Sequence, residues 1–370
     1  MKWLYGLIGL VFLIVFHEFG HFLAAKIFGV KVESFSVGFG PVLLHKKFGD
    51  TDFRISLIPL GGYCGMKGEK DFQKALENNQ KQIDAEKDSL YGVSPVKRAI
   101  IGFAGPFINL CLAVISFSII AGIGYKYYSY SNQIILANEL YENSCMAAEI
   151  AGIKTGDKII KINNVDIEDF SQIISQISSK PDENIKITVE RNQEILEFIV
   201  HSELDKESGI GKIGIAADTN SLLEKEAKKY SFFPAIGHGF KECFEYTKLT
   251  FKSIGSLIKG ANLTNTVSGP VRVTNLLGST IEESFKSDFR NGLVSILSLM
   301  GLISLSLGIM NLLPIPLLDG GLILLALIEV ISRRKIQPKI QYYIQFIGLA
   351  FIIFLFIIGC VGDFSYFIHK

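Results

Sequence analysis

Residues 3–25 read WLYGLIGLVFLIVFHEFGHFLAA. The run is long enough to cross a hydrocarbon core, which takes about 20 helical residues. Three chemistry-bearing side chains interrupt it: His17, Glu18 and His21. A charged side chain at the centre of a span costs about 2.5–3.5 kcal/mol on the gentlest scale. Three such groups so close together need a reason. On a helix His17 and His21 are i and i+4, so both imidazoles leave one face and reach one metal ion. Glu18 stands beside them and can act on water. This is the HExxH arrangement of two zinc ligands and a general base. Polar residues satisfying one another in a helix interface would not require all three. Lys2 followed by Trp3–Phe16 also passes for the start of a signal peptide. However, the apolar run continues to Ala25, Lys26 closes it as a membrane flank, and cleavage would discard all three side chains.

Working outward, the runs 99–125, 292–331 and 340–362 are also long enough to span. The segments between them are polar. The 370 residues are 49% hydrophobic, with a mean hydropathy of +0.35. The formal charge of +1 gives no global basic field for nucleic acid. The fold class expected is an α-helical polytopic membrane protein of about four transmembrane helices, with a membrane-associated β-region and one inserted α/β domain. The five cysteines (Cys64, Cys111, Cys145, Cys243, Cys360) include no CxxC and read as structural. Lys26, Lys31, Lys97 and Arg98 flank the first two spans, and Arg333, Arg334, Lys335 and Lys339 separate the last two. If 292–331 crosses once, these clusters share one side, which the positive-inside rule makes cytoplasmic. Both termini and the long insert then lie outside. A two-pass hairpin over 292–331 would break the rule, so a single interrupted pass is expected.

HExxH leaves a tetrahedral zinc short of a third protein ligand. The third run contains GIMNLLPIPLLDGG, residues 308–321, and Asp319 is the only carboxylate between Gly292 and Ile328. Pro314 and Pro316 cannot continue a helix, and Gly320–Gly321 permits a sharp backbone change. Broken helix at membrane depth is tolerated where it is buried in protein or lines a water-filled cavity. A packing kink would explain the prolines but not the aspartate. Asp319 is therefore expected to complete the set with His17 and His21. Asn311, just upstream, is the candidate to hold a substrate carbonyl.

Four stretches together resemble the site-2 protease family of intramembrane zinc metalloproteases, in the bacterial regulator-of-sigma-E protease branch. They are HEFGHFLAAKIFGVKVESFSVGFGP, LIPLGGYCGMKGE, KRAIIGFAGPFINLCLA and NLLPIPLLDGG, and they occur in the family's order over nearly the whole chain. The resemblance implies zinc as cofactor and regulated intramembrane proteolysis of single-span substrates, such as an anti-sigma factor or a remnant signal peptide. It implies that 32–66 forms a β-sheet dipping into the membrane, whose edge holds the extended substrate by strand addition. Residues 67–90 are expected as a polar cytoplasmic loop.

The stretch NSCMAAEIAGIKTGDKIIKINNVDI resembles a PDZ domain of the bacterial protease type. A helix near 169–178 and strands at 185–190, 195–200 and 210–216 are expected to follow. One such domain is found, where the enterobacterial branch carries two in tandem. It implies a partner in the form of peptide ends or a substrate ectodomain. The expected layout is helix 1 over 1–30, the β-region and polar loop over 31–97, helix 2 over 98–126 and the PDZ domain over 127–220. An external amphipathic helix and linker occupy 221–290, with helix 3 over 291–332 and helix 4 over 338–366. On 232–258, Ile236, Phe240, Phe244, Phe251, Ile254 and Ile258 share one face, which suits either the outer membrane surface or the PDZ domain. The family segment SGPVRVTNLLG, 268–278, carries no chemistry legible in its residues. The location implied is a bacterial inner membrane, with the lipid bilayer itself as a partner. A catalytically silent PDZ scaffold is the alternative, but it has no need of Glu18. A membrane metalloprotease for soluble substrates would favour a glutamate ligand and a site above the bilayer.

Overall fold

Four helices of the computed structural model are long and apolar enough to cross a membrane: α1 (Lys2–Ile27), α3 (Pro95–Ile123), α8 (Phe289–Leu312) and α10 (Pro338–Ile368). The structure describes residues 1–141, 144–260, 262, 268–286 and 288–368. Asn143, which opens the PDZ-like stretch, lies outside the described residues, as do 263–267 of the 221–290 linker. The chain divides into two units, one of residues 1–122, 231–244 and 269–367, the other of 123–230 with 245–268.

In the first unit α3 serves as a ruler for the third apolar run. Gly301 faces Ser116 and Phe117, and Gly308 faces the Pro106 carbonyl and Asn109. Farther on, the Asp319 carbonyl approaches Gly102 and Glu329 pairs with Arg98. The run therefore follows α3 in one direction throughout. A hairpin would have returned residue 329 to the opposite end of α3. The interruption covers 313–318, between α8 and the shorter α9 (Asp319–Ser332). The expectation for Gly320–Gly321 needs correcting. Both lie inside α9, and the unusual backbone belongs to Leu317, at φ +77°. The glycines serve close approach instead. A Cβ on Gly320 would strike the Leu312 and Leu313 carbonyls, and one on Gly321 would strike the Ile315 carbonyl.

The segment SGPVRVTNLLG begins α7 (Pro270–Ser284), and its role is structural. Gly6 of α1 packs on the Thr274 carbonyl, and Gly278 packs on the Lys2 carbonyl. Asp363, buried within α10, accepts from the backbone N–H groups of Gly269 (2.8 Å), Val271 (3.0 Å) and Arg272 (3.1 Å). It thereby caps another helix across the fold, at the end where the macrodipole favours a negative charge.

Between α1 and α3 stands an antiparallel hairpin, β1 (Val32–Phe48) with β2 (Thr51–Met66), whose register shifts repeatedly. Phe39, Leu43, Leu44, Phe48, Ile55 and Leu57 on it are exposed. The polar stretch 67–90 is not wholly a loop. Residues Glu69–Glu77 form α2, because Phe72, Ala75 and Leu76 recur at helical spacing, and Ala75 is fully buried.

The second unit contains an antiparallel five-stranded sheet. Its strands are β5 (Lys158–Ile162), β6 (Val165–Asp166), β7 (Glu183–Arg191), β8 (Glu194–Leu204) and β9 (Gly211–Lys212), in the order β6-β5-β7-β8-β9. Its helix α5 (Phe170–Ser178) falls within the expected 169–178. Asn192 and Gln193 both take positive φ (51° and 70°), the two-residue hairpin turn that suits the strand twist. The core is aliphatic, with Ile134, Ile159, Ile162, Ile185, Ile187, Val189 and Val200 fully buried. The strand β3 (Lys126–Tyr130) pairs with β11 (Leu222–Glu226), which brings the entry and exit of the unit together. Two short strands, β4 (Ile134–Leu136) and β10 (Ile215–Ala217), pair beside the core. A small helix, α4 (Ala147–Ile150), lies within the PDZ-like stretch, and α6 (Phe232–Ile258) follows the sheet, its residues up to Phe244 belonging to the first unit.

Candidate metal centre

His17 and His21 project from one side of α1, and both are buried, at 8% and 6% exposure. Two glycines let the helices meet there. Gly20 seats α1 on the Ala104 backbone, and a Cβ on Gly105 of α3 would strike both imidazoles. Asp319, the first residue of α9, enters from the interruption of the third span. His17 Nε2 lies 3.1 Å from Asp319 Oδ2, and His21 Nε2 lies 3.2 Å from Asp319 Oδ1. The two Nε2 atoms are 3.3 Å apart. The structure thus brings together three side chains from helices far apart in sequence, and they form the metal-capable group of the described residues.

The donor set fits zinc. Ligand atoms about 2.0–2.1 Å from zinc at tetrahedral angles stand about 3.3 Å from one another, close to the separations found. Asp319 Oδ2 is buried without a well-formed hydrogen bond, an orphaned acceptor that a cation would satisfy. The histidines are also oriented for the role. His21 Nδ1 lies 2.8 Å from the Ile101 carbonyl, which can only accept, so Nδ1 carries the proton and Nε2 keeps its lone pair. His17 Nδ1 lies 3.2 Å from the Asn109 amide. Turning that amide so that its oxygen faces the ring lets it accept from Nδ1–H, and gives the otherwise unpartnered Asn109 Oδ1 a bond. Outer partners of this kind commonly fix the orientation of ligating imidazoles.

Asn109 is fully buried and escaped the sequence reading. The signal was present, because it is the only side-chain amide in α3, and polar groups in spans mark function. Glu18, on the turn beside the two histidines, faces the β-hairpin: a Cβ on Gly62 of β2 would lie 3.5 Å from its Cγ. Asn311 lies half-buried in the last turn of α8, just before the interruption.

Comparisons with known proteins agree with this geometry. The family model for peptidase family M50 matches residues 5–355. A Treponema pallidum protein named "Putative zinc metalloprotease" is 32% identical over 100% of this chain and 100% of its own length. A Campylobacter jejuni protein of the same description is 36% identical over 96% of this chain and 90% of its own. A third, from Helicobacter pylori, is 32% identical over 96% of each.

Proposed function

The chain belongs to peptidase family M50, the site-2 proteases, and from that premise we propose that it cuts single-span membrane proteins within their transmembrane segments. It is a zinc-dependent membrane metalloprotease with four candidate spans. The observation that carries the proposal is depth. The histidine pair stands on α1, a helix of spanning length, against Gly105 of the spanning helix α3, and Asp319 opens the shorter α9 with its backbone beside Gly102 of α3.

His17, His21 and Asp319 are the residues that would hold zinc. When bound, zinc supplies Lewis acidity toward a carbonyl oxygen and toward water. Glu18 takes the proton of the attacking water and passes it to the leaving amine. Ile101 and Asn109 keep the two imidazoles turned inward, and Asn311 steadies the substrate carbonyl. A helix entering this site must unwind, and its freed backbone groups pair with an edge of the β1–β2 hairpin.

The second unit reads as a PDZ domain that recognises the outer part of a substrate. Supporting this is a cavity of 730 Å³ between α5 and the 210–216 segment, lined by Ile173, Ile174, Ile177, Ile210 and Ile213. The aromatic face of α6, with Phe240 and Phe244 exposed, suits the outer lipid surface. The Lys and Arg flanks favour the outer side of a bacterial inner membrane for this unit and both termini.

The test is a reconstituted single-span substrate whose products are mapped by mass spectrometry. The wild type should cut within the apolar segment. Glu18→Gln should retain zinc and lose cleavage, and wild-type cleavage by that variant would assign the base elsewhere. Removing residues 130–218 should leave cutting of a trimmed substrate intact and permit cutting of an untrimmed one. Loss of both, in a folded zinc-loaded protein, would make the unit a required docking site instead.

A further inference from the structure

The helix that carries Asp319 is sparsely packed. Leu324, Leu327, Ile328 and Ile331 of α9 are exposed. Its buried residues are Gly320, Gly321, Ala326 and Glu329. Toward α3 it presents Leu322 and Ile323, which meet Gly102. Aliphatic side chains on a glycine set the height of a helix poorly, since sliding exchanges one apolar contact for another. A slip of one turn, about 5.4 Å, would remove the Asp319 carboxylate from both histidines.

At the far end of the same stripe stands a buried ion pair. Arg98 of α3 donates to Glu329 of α9, and their exposures are 7% and 8%. Glu329 also accepts from the Ile336 N–H at 3.0 Å, in the turn that leads into α10. The Arg98 guanidinium lies 5.8 Å from the centre of the Tyr91 ring, whose hydroxyl accepts from Gln341 Nε2 at 3.0 Å. The pair therefore ties α9 to α3 at a single height and rotation. The α3 end of this tie is continuous with the site, since Ile101, Gly105 and Asn109 on the same helix touch the two histidines. A buried ion pair is weak evidence for stability, because well-packed apolar residues of similar volume often serve equally well. Its best-attested use is to specify register.

We propose that Arg98 and Glu329 are positioning residues whose ion pair sets the height and rotation of α9 and so delivers Asp319 to His17 and His21. The inference rests on reading those three side chains as the zinc ligands. It extends that reading to two residues that touch neither metal nor substrate.

The experiment uses the full chain in lipid nanodiscs, with three readouts: zinc per chain after competition with a chelator, thermal unfolding, and cleavage of a single-span substrate. Glu329→Gln keeps an acceptor for Ile336 but loses the charge. It should release zinc about ten- to a hundredfold more readily, the range found when outer partners of metal ligands are removed. Arg98→Lys, which keeps the positive charge facing Glu329, should keep much of the wild-type retention. The deciding variant is Arg98→Met with Glu329→Met. It should unfold no earlier than wild type and still hold zinc loosely, because apolar packing replaces the stability of the pair but not its register. A residue of merely structural importance would move unfolding and zinc retention together. Wild-type zinc retention in the folded double variant overturns the proposal. His17→Ala and Asp319→Ala run alongside. If they keep zinc, the ligand reading fails and this inference with it; if they lose zinc while both Glu329 variants keep it, the positioning inference alone fails.

Discussion

The two units differ in where they keep their bulky apolar side chains. The second unit has an interior of isoleucine and valine, with Ile159, Ile162, Ile185 and Ile187 fully enclosed. The first unit keeps much of its bulky aliphatic and aromatic surface outside: Leu4, Ile8, Phe12, Phe103, Phe107 and most of α10 are exposed. Its close helix contacts include Gly6, Gly20, Gly105, Gly301 and Gly308 and buried Asn109, Ser116 and Ser304, beside a few enclosed aliphatics such as Leu13, Ile101 and Leu305. The solvent explains the contrast. Water drives apolar surface inward at about 25 cal/mol per Å². Lipid gives no such drive, so helices associate through close backbone approach and hydrogen bonds. The consequence for function is that the unit built from small and polar contacts can hold titratable ligands in its centre.

The hardest test of this contrast removes the polar centre. His17→Ala, His21→Ala and Asp319→Ala should each abolish stoichiometric zinc and all cleavage. Metal analysis and a substrate assay on purified protein check it. Full zinc in the His17→Ala, His21→Ala double variant would mean that the cluster is packing and not a site.

Next come two substitutions of opposite sense. Gly105→Val should push the imidazoles apart and cost zinc and activity, because there is no room for a Cβ. Ile159→Ala in the second unit should destabilise that unit by about 2–5 kcal/mol, the usual result for a large aliphatic in a dense core. It should leave zinc untouched. Hydrogen exchange resolved by unit, paired with metal analysis, separates the two. If Gly105→Val retained zinc, close approach would not be what shapes the centre.

The smallest contrast concerns two capping aspartates. Asp363→Asn should destabilise the first unit by about 1–3 kcal/mol, since a charged acceptor for three N–H groups is lost at a helix start. Asp169 caps α5 in the second unit, accepting from the Gln172 N–H (3.1 Å), the Ser171 hydroxyl (2.5 Å) and Lys225 (3.2 Å). Asp169→Ala should cost about 1 kcal/mol. Burial by itself would raise the Asp169 pKa, but Ser171, Gln172 and Lys225 together hold it below the usual carboxylate range. Its stabilisation is therefore complete above about pH 4 and lost as the pH falls through the depressed value. A helix α5 whose exchange protection did not change between pH 5 and pH 2, both values being approximate bounds of that window, would remove Asp169 from this role.

Much of this protein is legible from sequence alone, because lipid makes polar residues conspicuous. Four apolar runs, an i, i+4 histidine pair with its glutamate, and one aspartate beside two prolines needed only helical geometry and the cost of charge in hydrocarbon. In the second unit, α5 and the β7 and β8 strands are expected from the resemblance of the stretch to a PDZ module. What the sequence left open depends on contacts between distant segments. Asn109 looks like one more polar residue until α3 lies against His17. Arg98 reads as a membrane flank, and only packing shows it buried against Glu329. SGPVRVTNLLG has no chemistry of its own, and acquires a role once Asp363 meets its N–H groups and Gly6 meets Thr274. Gly320 and Gly321 read as a bend because glycine permits one, yet they accommodate carbonyls of the preceding helix end and of the interruption itself. Local periodicity and solvation energy act within a segment and can be read along it. The closeness of two backbones and the partner of a buried charge are set only when segments meet, so the tertiary structure alone decides them.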